Sequence, residues 1–180
     1  MKKWNFRRRQ RKYKREEKSF VSYQEAKHIL LLFQSHGRDN DQIIFQIIDQ
    51  LKKDGKTVTA IGYVQRKKWG TYQTDCIVTF SSKETGMLGL PQKSIMDILL
   101  KNDYDLLLNF SCLSIIPLEY LQLYSNASCK VGAKIKYLQE PDIMIQMPDC
   151  PPSESFFSKE ETNYLFEQMR FYLRSIRSKH

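Results

Sequence analysis

Apolar and polar residues alternate with two different periods along this chain, and the switches between them outline the fold. Ile29-Leu30-Leu31-Leu32-Phe33, preceded by His28, is an unbroken apolar run of strand length. Such a run fits a strand covered on both faces, as in a parallel sheet. After the loop Gln34-Ser35-His36-Gly37-Arg38, the period lengthens to that of a helix. Ile43, Ile44, Ile47, Ile48 and Leu51 lie on one face over residues 39–53. Asp39 is the expected N-cap, with Gln42 as its capping-box partner; Lys52 and Lys53 complement the C-terminal dipole and Gly55 closes the helix. Thr57 to Val64 then reads as a β-branched strand. Strand, helix, strand is a βαβ unit, for which a right-handed crossover is expected.

The pattern is weaker over residues 65–90, where Trp69-Gly70 marks a turn, Cys76 to Phe80 a short strand, and Gly86 with Gly89 a loop. Pro91 is expected as the first residue of a helix running to Leu100. Tyr104 to Phe110 is a clear strand and Pro117 to Tyr124 a helix. Val131-Gly132-Ala133 and Ile143-Met144-Ile145 are short strands, and Pro148 to Ser158 is a Pro/Ser connector. Lys159 to Arg177 reads as a terminal helix with Tyr164, Leu165, Met169, Tyr172, Leu173 and Ile176 apolar. Alternating elements of these lengths predict an α/β fold, a single three-layer Rossmann-like domain with a mostly parallel sheet over residues 19–180.

Charge changes the picture at one end. Residues 1–18 hold ten basic side chains, Lys2, Lys3, Arg7, Arg8, Arg9, Arg11, Lys12, Lys14, Arg15 and Lys18, against Glu16 and Glu17. The full chain of 180 residues has 29 basic and 20 acidic side chains, so the remainder carries 19 and 18 and is almost neutral. A neutral body therefore follows a basic N-terminal arm, whose large apolar residues are Trp4, Phe6 and Tyr13. They are too few for a wide apolar stripe, so the arm is expected to have no core of its own, although its Arg and Lys content favours helix.

Candidate chemistry in the body is sparse. No apolar run approaches the ~20 residues needed to cross a bilayer, and no secretory signal follows Lys2 and Lys3, which makes the cytoplasm the expected compartment. Cys76, Cys112, Cys129 and Cys150 form no C-x-x-C pair, and His28, His36 and His180 add no metal-ligand spacing. Cys112 and Cys129, in or next to apolar strand-like segments, are expected to be buried, reduced thiols, and neither metal nor cofactor is expected. The loop His36, Gly37, Arg38, Asp39 with Asp41 falls at the carboxyl edge of the predicted sheet, where open α/β folds bind ligands. Arg38 could hold a phosphate and His36 or Asp39 move a proton. The plainer reading makes Asp39 a helix cap and the others solvated, because no G-x-G-x-x-G or G-K-[ST] supplies a phosphate cradle. No G-x-S-x-G occurs and the carboxylates are scattered, so no catalytic residue is assigned.

The strand Tyr104-Asp105-Leu106-Leu107-Leu108-Asn109-Phe110, the helix Leu121-Gln122-Leu123-Tyr124, the turn Ser125-Asn126-Ala127 and the strand Lys130-Val131-Gly132 together resemble an uncharacterised bacterial family of short proteins with a basic start. The resemblance covers roughly residues 20–175 and implies no activity. The same order of motifs is more distantly similar to the N-terminal half of heptosyltransferase-like glycosyltransferases. There the first strand ends in a Gly-Asp loop with a catalytic aspartate; Gly37-Arg38-Asp39 is a loose match with one residue inserted. Such enzymes also need a second half that binds the nucleotide sugar.

The arm carries the main functional expectation: a non-enzymatic accessory protein that docks on a larger assembly and contacts RNA, such as that of the ribosome, through Lys2, Lys3, Trp4, Arg7, Arg8, Arg9, Arg11, Lys12, Lys14 and Arg15. Two alternatives remain open. One is an incomplete glycosyltransferase-like or nucleotide-binding domain using the His36 loop; the other is a peripheral membrane-complex subunit with its arm on anionic lipid.

Overall fold

The computed structural model describes residues 1–13, 20–148 and 156–176. Six strands form one sheet: β1 (His28–Ser35), β2 (Thr57–Val64), β3 (Ile77–Ser81), β4 (Leu106–Asn109), β5 (Cys129–Ala133) and β6 (Ile143–Ile145). Their order is β3-β2-β1-β4-β5-β6, and every neighbouring pair is parallel. The chain therefore leaves the central β1 in one direction, through β2 and β3, then returns to build the other half from β4. That reversal is the topological switch point of a doubly wound sheet. The α/β fold with a single Rossmann-like sheet is as the hydrophobic pattern predicts.

Side-chain alternation divides the core. Ile29, Leu31 and Phe33 of β1 pack with Ile44, Ile47, Ile48 and Leu51 of α2 (Gln42–Lys53) and with Leu165, Phe166, Met169 and Leu173 of the terminal helix. Leu30 and Leu32 point to the opposite face. There they meet Ile95 and Leu99 of α3 (Lys93–Leu100), and Leu118 and Leu121 of α4 (Ile116–Tyr124). Seven of the eight β1 residues are buried, which is why their sequence shows no alternation. Gly62 of β2 stands beside Phe33, where an added Cβ would lie 2.5 Å from the ring; only glycine lets Phe33 lie flat against β2.

The first helix, α1 (Lys2–Lys12), lies outside α4. Phe6 is fully buried against Tyr120, with ring centroids 4.9 Å apart, and shares a small cluster with Tyr120 and Leu123. Gln10 donates to Leu138 O and Gln139 Oε1 at 3.2 and 2.9 Å. Tyr13 meets Tyr124 edge-on at 5.3 Å. Phe6, Gln10 and Tyr13, spaced i, i+4, i+7, form a narrow docking stripe. The basic segment thus borrows its core from α4. The reciprocal signal is in α4 itself: Pro117 through Leu123 are all buried, polar Glu119 and Gln122 included, and a helix without an exposed face must be covered on both sides.

The terminal helix α5 (Lys159–Ser175) begins at a capping box, Ser158 Oγ accepting from Glu161 N–H while Glu161 accepts from Ser158 N–H. Two expected helix starts are corrected. α2 begins at Gln42 after Asp41, not at Asp39, and Gln42 reaches back to Arg38 O rather than to Asp39. α3 begins at Lys93 after Gln92, because Pro91 pairs with Thr85 in an isolated bridge and is held extended. Expected elements at Lys14, Arg15 and Lys18, in most of the Pro148 to Ser158 connector, and at Arg177 lie outside the described residues.

Candidate functional site

Two sites emerge, on opposite sides of the sheet. The first lies where β1 and β4 end, at the switch point. Beyond Ser35 the chain turns through His36 and Gly37 into a turn at residues 38–41, and Asp41 folds back on it. Its Oδ1 accepts from His36 N–H at 2.8 Å, and its Oδ2 accepts from the Ser35 hydroxyl at 2.5 Å and the Tyr72 hydroxyl at 2.9 Å. Asp41 is 2% exposed, and three donors satisfy its charge without any ligand. Burial, and then the Asp41 carboxylate beside it, hold the Tyr72 phenol above its ordinary pKa, so it remains a proton donor to Asp41. Asp41 is thus a structural knot that fixes the loop.

That loop presents His36 to a cavity of about 330 Å³. Phe33 and Phe110, from the ends of β1 and β4, line it together with Ile44 of α2 and Cys112. Ser158, Lys159 and Thr162 contribute the start of α5, and Trp69 closes one side from a short 3-10 turn at Lys67–Trp69. Trp69 meets the imidazole edge-on with centroids 4.6 Å apart, and Phe156 tilts against it at 4.8 Å. Gly37 makes this arrangement possible twice over. Its φ is +89°, and an added Cβ would come within 2.7 Å of Trp69 O. Burial pulls the His36 pKa down, Asp41 opposes that shift and Arg66 reinforces it; the ring is held toward its neutral form. His36 Nε2 is buried without a hydrogen-bond partner among the described residues.

Of the loop residues singled out in the sequence, His36 faces this cavity and Gly37 backs Trp69, whereas Arg38 and Asp39 are exposed on the turn. Of the two residues expected as alternatives for moving a proton, His36 therefore lines the cavity and Asp39 does not. The sequence reading missed Trp69, Phe110, Cys112, Phe156 and Lys159, which lie far from His36 along the chain. Two local signals mark part of the set: the Ser158-x-x-Glu161 capping box, and the aromatic pair Phe156-Phe157 within an otherwise polar connector. Cys112 and Cys129 are buried thiols. Among the described residues, no group of three or more His, Cys, Asp or Glu side chains could hold a metal ion.

The second site is the outer surface of α1. Lys2, Lys3, Arg7, Arg8, Arg9, Arg11 and Lys12 are all exposed, and no acidic residue interrupts them. Trp4 is 64% exposed, with the Arg8 guanidinium 5.8 Å from its ring centroid. Arg9, Arg11 and Lys12 stand at the helix C-terminus, where the dipole favours cations. Among the described residues, no helix is long and apolar enough to cross a membrane.

Comparison with known proteins assigns the chain to a family but to no activity. Residues 1–167 match a family model described as "Family of unknown function (DUF6913)", and the chain belongs to that family. The match begins at residue 1, so the basic helix lies within the family's span. No curated protein and no solved structure matches.

Proposed function

We propose that the protein is a non-enzymatic cytoplasmic accessory protein whose α1 grips structured RNA, such as that of the ribosome, while the α/β body docks on the surrounding assembly. The observation that carries this reading is the exposure of seven basic side chains on a helix whose inner face is anchored by Phe6. Anchoring matters energetically. A loose tail loses conformational freedom when it meets a polyanion, whereas a docked helix has its charges already arrayed. Arginine forks hold phosphate oxygens with two parallel hydrogen bonds, and the exposed Trp4 ring offers a surface on which an unpaired base can stack.

An anionic membrane would use the same charges but also needs apolar insertion. The Phe6 side of α1 faces Tyr120, leaving Met1 and Trp4 for that purpose. RNA is therefore the favoured partner. A glycosyltransferase-like or nucleotide-binding half-domain has less behind it, since Asp39 stands exposed and Asp41 is already saturated.

The test is a titration of structured ribosomal RNA across a salt series, with the full chain and with an Arg7→Glu/Arg8→Glu/Arg11→Glu variant. Counterion release predicts that log K falls linearly with log salt, with a slope of about −0.9 per neutralised phosphate on duplex. The variant should shed roughly three phosphate contacts from that slope and bind at least about tenfold more weakly. Equal affinity of the two proteins, or tighter binding to phosphatidylserine vesicles than to RNA, rejects the reading.

A further inference from the structure

The cavity at the switch point lies on the α2/α5 side of the sheet, away from α1, and the proposed RNA contact leaves it unused. Its volume of about 330 Å³ falls at the small end of ligand sites, which run from about 300 to 1,000 Å³. Three features define what it would accept. Its walls are aromatic, with Phe33, Phe110, Trp69 and Phe156 contributed by four separate segments. Two buried polar atoms of its lining residues have no hydrogen-bond partner among the described residues: His36 Nε2, an imidazole nitrogen able to donate or accept according to tautomer, and Gln34 Oε1, an acceptor.

The third feature is charge. The charged side chains in the lining are Asp41 and Lys159. Asp41 is saturated by His36 N–H, Ser35 and Tyr72. Lys159 is exposed at the rim, beside Glu160 and Glu161 in the first turn of α5. Glu161 already accepts the Ser158 N–H, so the N-terminus of α5 is shielded from an incoming anion by its own carboxylates. Arg66 and Lys68 lie near the Trp69 ring, at 5.3 and 5.9 Å from its centroid, where they polarise that wall.

We propose that this cavity binds a free, uncharged, planar heteroaromatic molecule of nucleobase or nucleoside size, stacked among Trp69, Phe156 and the core phenylalanines and hydrogen-bonded to His36 Nε2. The site disfavours phosphate because, among the described residues, the lysine of its lining, Lys159, stands exposed at the rim and the start of α5 is already occupied by its own capping box. It is therefore unlike the phosphate-cradling sites that doubly wound folds place at the same edge.

The chain has two tryptophans, Trp4 and Trp69. A Trp4→Phe variant of the full chain leaves Trp69 as its sole indole, a reporter in the wall of the site. Its fluorescence is titrated with adenosine, inosine, uridine and hypoxanthine, and with adenosine monophosphate and inorganic phosphate as charged controls. At least one uncharged ring compound should give saturable quenching with Kd below about 1 mM, adenosine should bind more tightly than its monophosphate, and phosphate should give no response.

His36→Phe keeps an aromatic ring and removes the hydrogen bond. It should weaken the bound compound about tenfold while thermal unfolding remains cooperative. The Arg7→Glu/Arg8→Glu/Arg11→Glu variant should bind it unchanged, which separates this site from the RNA reading. Absence of saturable quenching by all four uncharged compounds overturns the proposal, as does tighter binding of the monophosphate or of inorganic phosphate. Unaltered affinity in His36→Phe overturns the assignment of the polar contact.

Discussion

The two terminal helices lie on opposite sides of the same sheet, α5 against it and α1 outside α4, and are held in contrasting ways. α5 buries Leu165, Phe166, Met169 and Leu173 in the larger core and starts from a reciprocal capping box. Arg170 and Arg174 tie it to Asp54 after α2, at 3.0 and 3.3 Å. α1 buries Phe6 alone, has no side-chain cap, and sets Lys2 and Lys3 against the positive end of its own dipole. One helix is a structural member of the fold. The other is a charged surface element fastened by one aromatic anchor and a few polar contacts. A helix whose exposed side is this basic and whose buried side is this narrow is better explained by what its outer face meets than by what its inner face contributes.

The largest effect expected from breaking this contrast lies in α5. Phe166→Ala removes a ring that is 2% exposed, packed against Phe110 and beneath the Arg170 guanidinium. It should cost about 3–5 kcal/mol of global stability, read from urea unfolding at constant m-value. A loss under about 1 kcal/mol would show that α5 is as loosely held as α1.

Next comes the Asp54 tie. Burial pushes the Asp54 pKa up, but the Tyr23 hydroxyl at 2.7 Å, Arg170, Gln50 and Arg174 more than offset it, leaving the carboxylate below its ordinary value. Asp54→Ala should destabilise by about 2–3 kcal/mol at neutral pH, the usual cost of removing hydrogen bonds to a charged group. The linkage has a definite sign. With its folded pKa depressed, Asp54 contributes fully above the ordinary carboxylate value of about 3.9 and loses that contribution as pH falls through the lower folded value. Tyr23 works at the alkaline end. Burial first, then Asp54, raises its phenol to about 12. Its contribution is present below about 10 and is lost as pH rises from there through the folded value. In Asp54→Ala both limbs of the pH–stability curve should flatten; unchanged limbs would place the acid and alkaline sensitivity elsewhere.

The smallest global effect belongs to Phe6→Ala, although Phe6 is as buried as Phe166. The loss cannot exceed the free energy with which α1 docks, because the helix can release while the sheet stays folded. Backbone amides of residues 2–12 should exchange with solvent orders of magnitude faster, while the melting temperature of the body moves by no more than about 2 °C. A melting shift as large as that of Phe166→Ala would make α1 part of the cooperative core.

Local patterns predicted much of this molecule. The buried run at β1, the amphipathic α2 and the β-branched β2 each follow from periodicity, because burial on one face or on both leaves a direct trace in sequence. Helix starts were less legible. Asp39, Asn40 and Asp41 are all good cap residues, and Asp41 ends at the helix start because its carboxylate is recruited by Ser35, His36 and Tyr72, the last of them 31 residues away. The candidate cavity was least legible. His36 was visible as a polar residue after a strand, but nothing in the positions of Trp69, Phe110 and Phe156 along the chain shows that they share its cavity. The docking of α1 left a trace in α4 instead, where Leu118, Tyr120, Leu121 and Leu123 point around the whole helix and demand a cover on the outside.

By itself, the sequence determined the α/β class, most of the strands and helices, and the division of charge between a basic start and a neutral body, since each is a property of neighbouring residues. Only the tertiary structure decided that the basic segment is a docked helix, that the β1–α2 loop is closed by a saturated aspartate, and that three distant aromatic rings, Trp69, Phe110 and Phe156, line one cavity with His36. Those outcomes depend on parallel pairings that bring β4 and the start of α5 beside β1, and side-chain contacts across such separations leave no periodic signal in the chain.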